Sequence, residues 1–252
     1  MDIWQAIILG TVQGLTEFLP ISSSGHLVLL QNIFGTGCNL FMTVALHIGS
    51  LVAVIIVFWK DVVYCIKHPL CDLSKKIIFA TIPTVVIVLF FKAYIEDSFN
   101  GNFFLIGFVL TAFLLMITEI IAKKVNFKKP ISTKSAIIMG IAQGIATLPG
   151  ISRSGATICA GLLCGEHRDG VASFSFLMSI PIIIASCVYE LIFSSSTVSI
   201  TVLPIVVGML FAFLFGWLAI KLMLKLVKKV EFTYFAIYLA VLVMVLSIFH
   251  IV

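Results

Sequence analysis

At 252 residues, 61% hydrophobic and 11% charged, with a mean hydropathy of +1.22, the chain excludes a soluble globular domain, whose apolar share is usually about 45 to 50%. Its length accommodates roughly six to eight membrane-spanning helices of about 20 residues and leaves no room for a large soluble domain. The net charge of +5 gives no ground for a nucleic-acid partner; its meaning lies in where the lysines fall.

The chain opens with Met1-Asp2-Ile3-Trp4, without a basic n-region or an A-x-A-like cleavage site, so the first segment is expected to belong to the mature fold. Residues 2 to 35 are apolar but broken in the middle by "PISSSG", each half too short to cross a bilayer; they predict a re-entrant helical hairpin. Apolar runs of spanning length follow at 40 to 59, 77 to 91 and 102 to 122. A second broken segment, 132 to 165, repeats the hairpin pattern around "GISRSG", and further runs occupy 171 to 193, 201 to 221 and 232 to 251. The six cysteines Cys38, Cys65, Cys71, Cys159, Cys164 and Cys187 form no C-x-x-C pair and no zinc-like spacing, and are expected to be buried thiols.

Shifted by 130 residues, the chain matches itself without a gap: "AIILGTVQGLTEFLPISSSG" (6 to 25) lies on "AIIMGIAQGIATLPGISRSG" (136 to 155), with about half the positions identical. Gln13/Gln143, Gly14/Gly144, Ser22/Ser152, Ser24/Ser154 and Gly25/Gly155 are among them. Such symmetry is the mark of a duplicated membrane fold. Each copy is one hairpin plus three spans, an odd number, so the second copy is expected upside down. The predicted fold is an all-α integral membrane protein, a single polytopic domain over 1–252, made of an inverted repeat (1–125 and 131–252) with six full spans and two re-entrant hairpins.

Charge orients it. The loops near 60 to 76, 123 to 134, 166 to 170 and 221 to 231 fall on one face and carry Lys60, Lys67, Lys75, Lys76, Lys123, Lys124, Lys128, Lys129, Lys134, Arg168, Lys221, Lys225, Lys228 and Lys229, whereas the other face has essentially Lys92 beside Glu96 and Asp97. The positive-inside rule makes the lysine face cytoplasmic and puts both termini outside. The "KKVNFKK" run fits a topogenic and lipid-headgroup patch. The first hairpin then opens outward, the second opens to the cytoplasm, and their tips meet near the midplane.

Charge in hydrocarbon costs about 2.5 to 3.5 kcal/mol even on lenient scales, so Glu17 and Arg153 in the hairpins point to a functional site, the alternative being a structural pair between the repeats. Each break starts a half-helix whose free N–H groups and positive dipole end favour an anion; two of them with a guanidinium suit a phosphate or diphosphate. Ser22, Ser23 and Ser24 either bind that anion or cap the half-helix, and Ser154 and Thr157 are expected to cap. His26 is either a satisfied interior histidine or, one turn on from the serines, a group that reaches the tip. Gln13 shares a helix face with Glu17 and either positions a ligand oxygen or bridges helices. Glu119 and Glu190, near span ends, are expected to reach the interface, and His47 to be a structural polar residue in an apolar span.

"QGLTEFLPISSSGH" (13 to 26) and "PGISRSGAT" (149 to 157) resemble the two signature motifs of the undecaprenyl-diphosphatase, or bacitracin resistance protein, family, and "ASFSFLMSIP" (172 to 181) looks like a third stretch of it. The resemblance implies a membrane enzyme that hydrolyses undecaprenyl diphosphate to undecaprenyl phosphate and inorganic phosphate, recycling the carrier for peptidoglycan and other wall polymers and conferring bacitracin resistance. It implies Glu17, Ser23, His26 and Arg153 as catalytic residues, with Gln13, Ser22, Ser24, Gly25, Ser152, Ser154, Gly155 and Thr157 around the substrate. It also implies a divalent cation, Mg²⁺ or Ca²⁺, at Glu17, although many members have Glu where this chain has Gln13, so one acid of a carboxylate pair is missing. The expected partners are the polyprenyl diphosphate and membrane lipid. The expected location is the bacterial cytoplasmic membrane, with the site opening to the extracytoplasmic side; whether copies form a homo-oligomer is left open. The candidate nucleophile is Ser23, with His26 or Glu17 taking its proton, or else a water activated by the same pair. An inverted repeat of broken helices is also the architecture of secondary transporters, so a flippase for the phosphorylated carrier is the alternative.

Overall fold

The computed structural model describes residues 1–36, 40–99, 103–122, 130–193, 202–229 and 231–249, and every regular element among them is helical. The first hairpin is α1 (Ile3–Phe18) and α2 (Ser23–Ile33), and the second is α8 (Thr133–Ile145) and α9 (Arg153–Leu163). Between them run α3 (Leu40–Val57), α4 (Trp59–Lys67), α5 (Asp72–Phe90), α6 (Lys92–Ser98) and α7 (Phe103–Ala122); α10 (Arg168–Phe193), α11 (Val202–Lys229) and α12 (Thr233–Ile248) follow.

Both broken segments are therefore where the sequence put them. Among the described residues four helices, α5, α7, α10 and α11, are long and apolar enough to cross a membrane, which makes this a multi-pass membrane protein. The run expected at 40 to 59 bends by 83° at Phe58, between α3 and α4, and counts as a fifth span if the bent pair is taken together. The last run is the apolar α12, 16 residues long, or about 24 Å at 1.5 Å per residue against about 30 Å of hydrocarbon. Outward faces carry Ile78, Phe90, Phe113, Leu210 and Ile237 exposed, as lipid contact requires and water would not tolerate over such an area.

Residues 130 apart do the same structural job in the two hairpins. Ser22 caps α2 by accepting from the Gly25 N–H at 3.3 Å, and Ser152 caps α9 by accepting from the Gly155 N–H at 3.1 Å. Each half-helix ends on a left-handed glycine, Gly35 (φ 64°) and Gly165 (φ 83°). The closing bonds correspond too, Thr36 N–H to Gln31 C=O and Glu166 N–H to Gly161 C=O, the pattern that satisfies the last carbonyls of a helix.

Close backbone approach holds the long helices to the hairpins. Where α1 crosses α11, a Cβ on Gly10 would collide with the Gly208 carbonyl; where α8 crosses α5, a Cβ on Gly140 would collide with the Ala80 carbonyl. Small residues serve here because lipid is as apolar as leucine, so helices associate through tight packing and hydrogen bonds. Thr84 of α5 supplies one, donating to the Gly140 carbonyl at 2.8 Å, and accepts from Gln143 Nε2 at 3.2 Å.

The basic ends of α10 and α11 lie together, with Lys228 Nζ 2.8 Å from Asp169 and Arg168 donating to the Val227 carbonyl at 3.4 Å. At the far end of α10, Lys92 of α6 sits 4.7 Å from the Tyr189 ring centroid. Lys123, Lys124, Lys128, Lys129 and the "KKVNFKK" run, together with Cys38, lie outside the described residues. The other cysteines are unpaired, and only Cys159 and Cys187 are buried; Cys65, Cys71 and Cys164 are half-buried, which corrects the expectation that all are interior. Glu119 is corrected as well: it is buried rather than interfacial, 3.4 Å from Arg168 and accepting the Phe232 N–H at 3.1 Å. The Glu190 side chain lies outside the description.

Gly140→Ala is expected to overpack the α5–α8 crossing at a cost of about 1 to 3 kcal/mol and so lower the unfolding temperature in detergent. Gly170→Ala, on α10 with open space around its Cβ, should hold or raise it, since alanine is the better helix former by roughly 1 kcal/mol.

Candidate active site

Pro20 drives the preceding Leu19 out of helical conformation (φ −81°, ψ 147°), so α1 stops one residue after Glu17. A carboxylate at the negative end of a helix dipole is electrostatically disfavoured. Glu17 is nonetheless only 5% exposed, and it is held from several sides. Arg153, the first residue of α9, pairs with its Oε1; Ser23, the first residue of α2, donates its hydroxyl to Oε2. Gln13 Nε2 donates to the same oxygen at 3.1 Å, and His47 Nε2 lies 3.6 Å from it. Both hairpin tips and α3 thus converge on one carboxylate.

Helix α7 is the floor under both tips. The Phe108 ring and the Gly150 Cα leave no room for a Cβ on Gly25, and the Pro149 carbonyl leaves none on Gly107. Thr111 accepts the Ser152 N–H at 3.0 Å and donates to the Gly150 carbonyl at 3.1 Å. Ser154 donates to the Leu19 carbonyl of the opposite tip at 2.9 Å, and Gly155 stands where a Cβ would come within 3.3 Å of Pro20. Each tip is therefore locked onto the other and onto α7 by backbone contacts that larger residues would break.

The remaining sequence candidates divide accordingly. Ser22 and Ser152 are caps, each with a second hydroxyl close by (Ser24 at 3.2 Å, Ser154 at 3.3 Å). Thr157 donates back to the Arg153 carbonyl (2.8 Å) and meets Ser175 at 2.6 Å. His26 lies beside the tip, yet its ring is engaged elsewhere: Nδ1 with the Ser22 carbonyl at 2.6 Å, Nε2 with the Tyr238 hydroxyl at 2.8 Å. The hydrogen-bonded partner of Ser23 is Glu17, not His26.

Sequence reasoning missed four residues here. His47 is at Glu17 and not merely a structural polar residue, with Nδ1 2.7 Å from the Thr43 carbonyl. Ser50, one turn on, lies 3.4 Å from Gln13 Nε2. Two α10 serines, Ser175 and Ser179, join Glu17, Phe18, Arg153, Ser154 and Phe176 around a narrow, closely packed cleft. The available signals were the i, i+3 pair His47/Ser50 in an apolar run and the i, i+4 pair Ser175/Ser179 in "ASFSFLMS", polar residues on one helix face where lipid disfavours them.

Among the described residues no group of three His, Cys, Asp or Glu side chains could hold a metal alone. The donor set is one carboxylate, hydroxyls, and the Gln13 Oε1, a buried amide oxygen without a hydrogen-bond partner. Oxygen donors of this kind fit a hard cation that takes most of its ligands from substrate phosphates and water.

The chain matches the family described as "Bacitracin resistance protein BacA" over residues 6–245. It is 44% identical to an undecaprenyl-diphosphatase of Carboxydothermus hydrogenoformans over 196 residues, 76% of this chain and 74% of that protein. It is 43% identical to one from Methanosphaera stadtmanae (74% and 76% covered) and 41% identical to one from Halothermothrix orenii (82% and 83% covered).

Removing Arg153 alone strands the buried Glu17 charge, so Arg153→Met is expected to destabilise by about 3 to 5 kcal/mol. Adding Glu17→Gln should restore most of that, which thermal unfolding of the two single variants and the double in detergent will show.

Proposed function

The chain belongs to the bacitracin resistance protein family, and from that premise we propose that it is an undecaprenyl-diphosphatase whose chemistry runs through Ser23. The observation that carries the reading is the hydrogen bond from Ser23 to a carboxylate that the other hairpin's arginine holds in place.

In this mechanism Glu17 takes the Ser23 proton as Oγ attacks the terminal phosphorus. The bond to the bridging oxygen breaks, undecaprenyl phosphate departs, and the phosphoryl group stays on Ser23 until water releases it as inorganic phosphate. Arg153 moves its positive charge from Glu17 to the diphosphate oxygens, because phosphoryl transfer depends on positioning and charge stabilisation more than on bond-making by the protein. Ser154, Ser175 and Ser179 line the narrow cleft beside it. Gln13 Oε1 and Glu17 would hold a Mg²⁺ or Ca²⁺ ion, which supplies further neutralisation of diphosphate charge.

The reading extends to architecture and placement. Residues 1–125 and 131–252 form an inverted repeat; the paired caps, left-handed glycines and glycine crossings at matching positions support it. The protein sits in the bacterial cytoplasmic membrane with its lysine-rich loops inside and its site open to the outer side. The clustering of Arg168 and Lys228 at one end of α10, with Lys92 at the other, supports that orientation.

Purified protein in detergent is expected to release phosphate from undecaprenyl diphosphate. Ser23→Ala should lose at least about a hundredfold; near-full turnover would replace the serine with an activated water. The ion is tested without turnover. Gln13→Glu sets a second carboxylate beside Glu17, so its unfolding temperature should fall in EDTA and rise more than wild type's when Mg²⁺ is added. Equal shifts in both proteins would count against an ion at this pair.

A further inference from the structure

Among the described residues Ser22 is the one non-glycine with positive φ, at φ 66° and ψ 101°. Such a conformation costs of order 1 to 3 kcal/mol and persists only where neighbours over-determine it. It also immediately precedes Ser23, so the Ser22 peptide sets where the Ser23 hydroxyl points.

Locally the Ser22 hydroxyl accepts the Gly25 N–H and its carbonyl the His26 N–H at 3.4 Å; a further restraint on that peptide comes from the far end of the chain. A carbonyl oxygen carries no proton, so the 2.6 Å contact between the Ser22 carbonyl and His26 fixes the proton on Nδ1. In the neutral ring Nε2 is then an acceptor, and it faces the hydroxyl of Tyr238, 212 residues further on in α12, at 2.8 Å. The two rings lie within 6° of parallel with centroids 5.9 Å apart. The imidazole also packs against Phe108, tilted at 61° with 5.1 Å between centroids, and Phe108 crowds Gly25 as well. Tyr238, His26 and the Ser22 carbonyl form a continuous strut from α12 to the strained residue, with Phe108 preventing the imidazole from swinging aside.

We propose that Tyr238 is a positioning residue for the reaction: its hydroxyl fixes the tautomer and orientation of His26, which holds the Ser22 peptide so that Ser23 points at Glu17. This rests on the reading of Ser23 as nucleophile. It gives His26 a holding role and leaves the proton transfer to Glu17, and it makes the site depend on the last helix of the chain, where no motif marks it.

Tyr238→Phe keeps the ring and deletes the hydroxyl. The expected result is kcat lowered about tenfold with KM unchanged, because substrate contacts are intact while the nucleophile is misaimed. In a His26→Gln background the same substitution should have no further effect, since the strut is already cut. Unchanged kcat in Tyr238→Phe, an effect on KM alone, or losses that multiply in the double variant would each overturn the proposal. Unfolding temperatures accompany every variant, and if Tyr238→Phe proves unstable, His26→Gln cuts the strut from the other side and must itself lower kcat with KM unchanged. The outcomes separate from those of the enzymatic reading. Active wild type with inactive Ser23→Ala upholds that reading whatever Tyr238→Phe does, whereas an inactive wild type overturns both.

Discussion

The rest of the structure depends on a buried carboxylate at the wrong end of a helix. Glu17 closes α1, where the dipole repels it, and lies out of water. An isolated charge at that place would cost more than folding can offset, so partners must be brought to it from distant parts of the chain. Arg153 comes from the second hairpin, Ser23 from the first, and His47 from α3. The same convergence that satisfies the charge assembles a nucleophile, a proton acceptor and an anion-binding cation at one point. Stability and chemistry share a single electrostatic requirement here.

That requirement can be met only if two non-helical breaks approach within bonding distance inside a membrane. Irregular backbone at such depth must find its hydrogen bonds within the protein. Ser22 and Ser152 cap their helices, Ser154 ties the second tip to the Leu19 carbonyl, and Thr111 ties it to α7. Glycines make room where these backbones touch, most tightly at Gly150 against the Phe104 carbonyl and at Gly107 against the Pro149 carbonyl. The hydroxyls that sequence reasoning assigned to substrate are largely occupied by this internal satisfaction. Ser175 and Ser179 are engaged in the same way, with Thr157 at 2.6 Å and the Phe176 carbonyl at 2.7 Å, which leaves Arg153 as the group best placed to meet the diphosphate.

The hairpins were legible because their signals are local. A proline that unwinds the residue before it, a serine that caps, and a glycine that closes a helix all act within a few residues, and the 130-residue self-match doubled each signal. Gln13 and Glu17 were legible as one helix face for the same reason. Tyr238 was not, since its importance comes from where α12 packs, and a single polar residue in an apolar run looks the same whether it faces a site or only satisfies its own helix; His47 gave only the weak signal of sharing a face with Ser50. Glu119 shows the converse. It lies near a span end, as an interfacial carboxylate would, but Arg168 and the Phe232 N–H reach it from other helices and hold it inside. The bend at Phe58 likewise follows no proline or glycine, so hydropathy saw one straight span there.

The central claim is that one carboxylate both organises the tips and accepts the proton, and Glu17→Gln tests it most directly. The amide keeps the size and can still hydrogen-bond Ser23, but it cannot take a proton at neutral pH. The measurement is the initial rate of phosphate release from undecaprenyl diphosphate by purified Glu17→Gln beside wild type, each with its unfolding temperature. The account predicts a folded protein with a lowered unfolding temperature, because Arg153 loses its charge partner, and a rate slower by about 10²- to 10⁴-fold, the range for loss of a general base. A folded Glu17→Gln that turns over at close to the wild-type rate would contradict it.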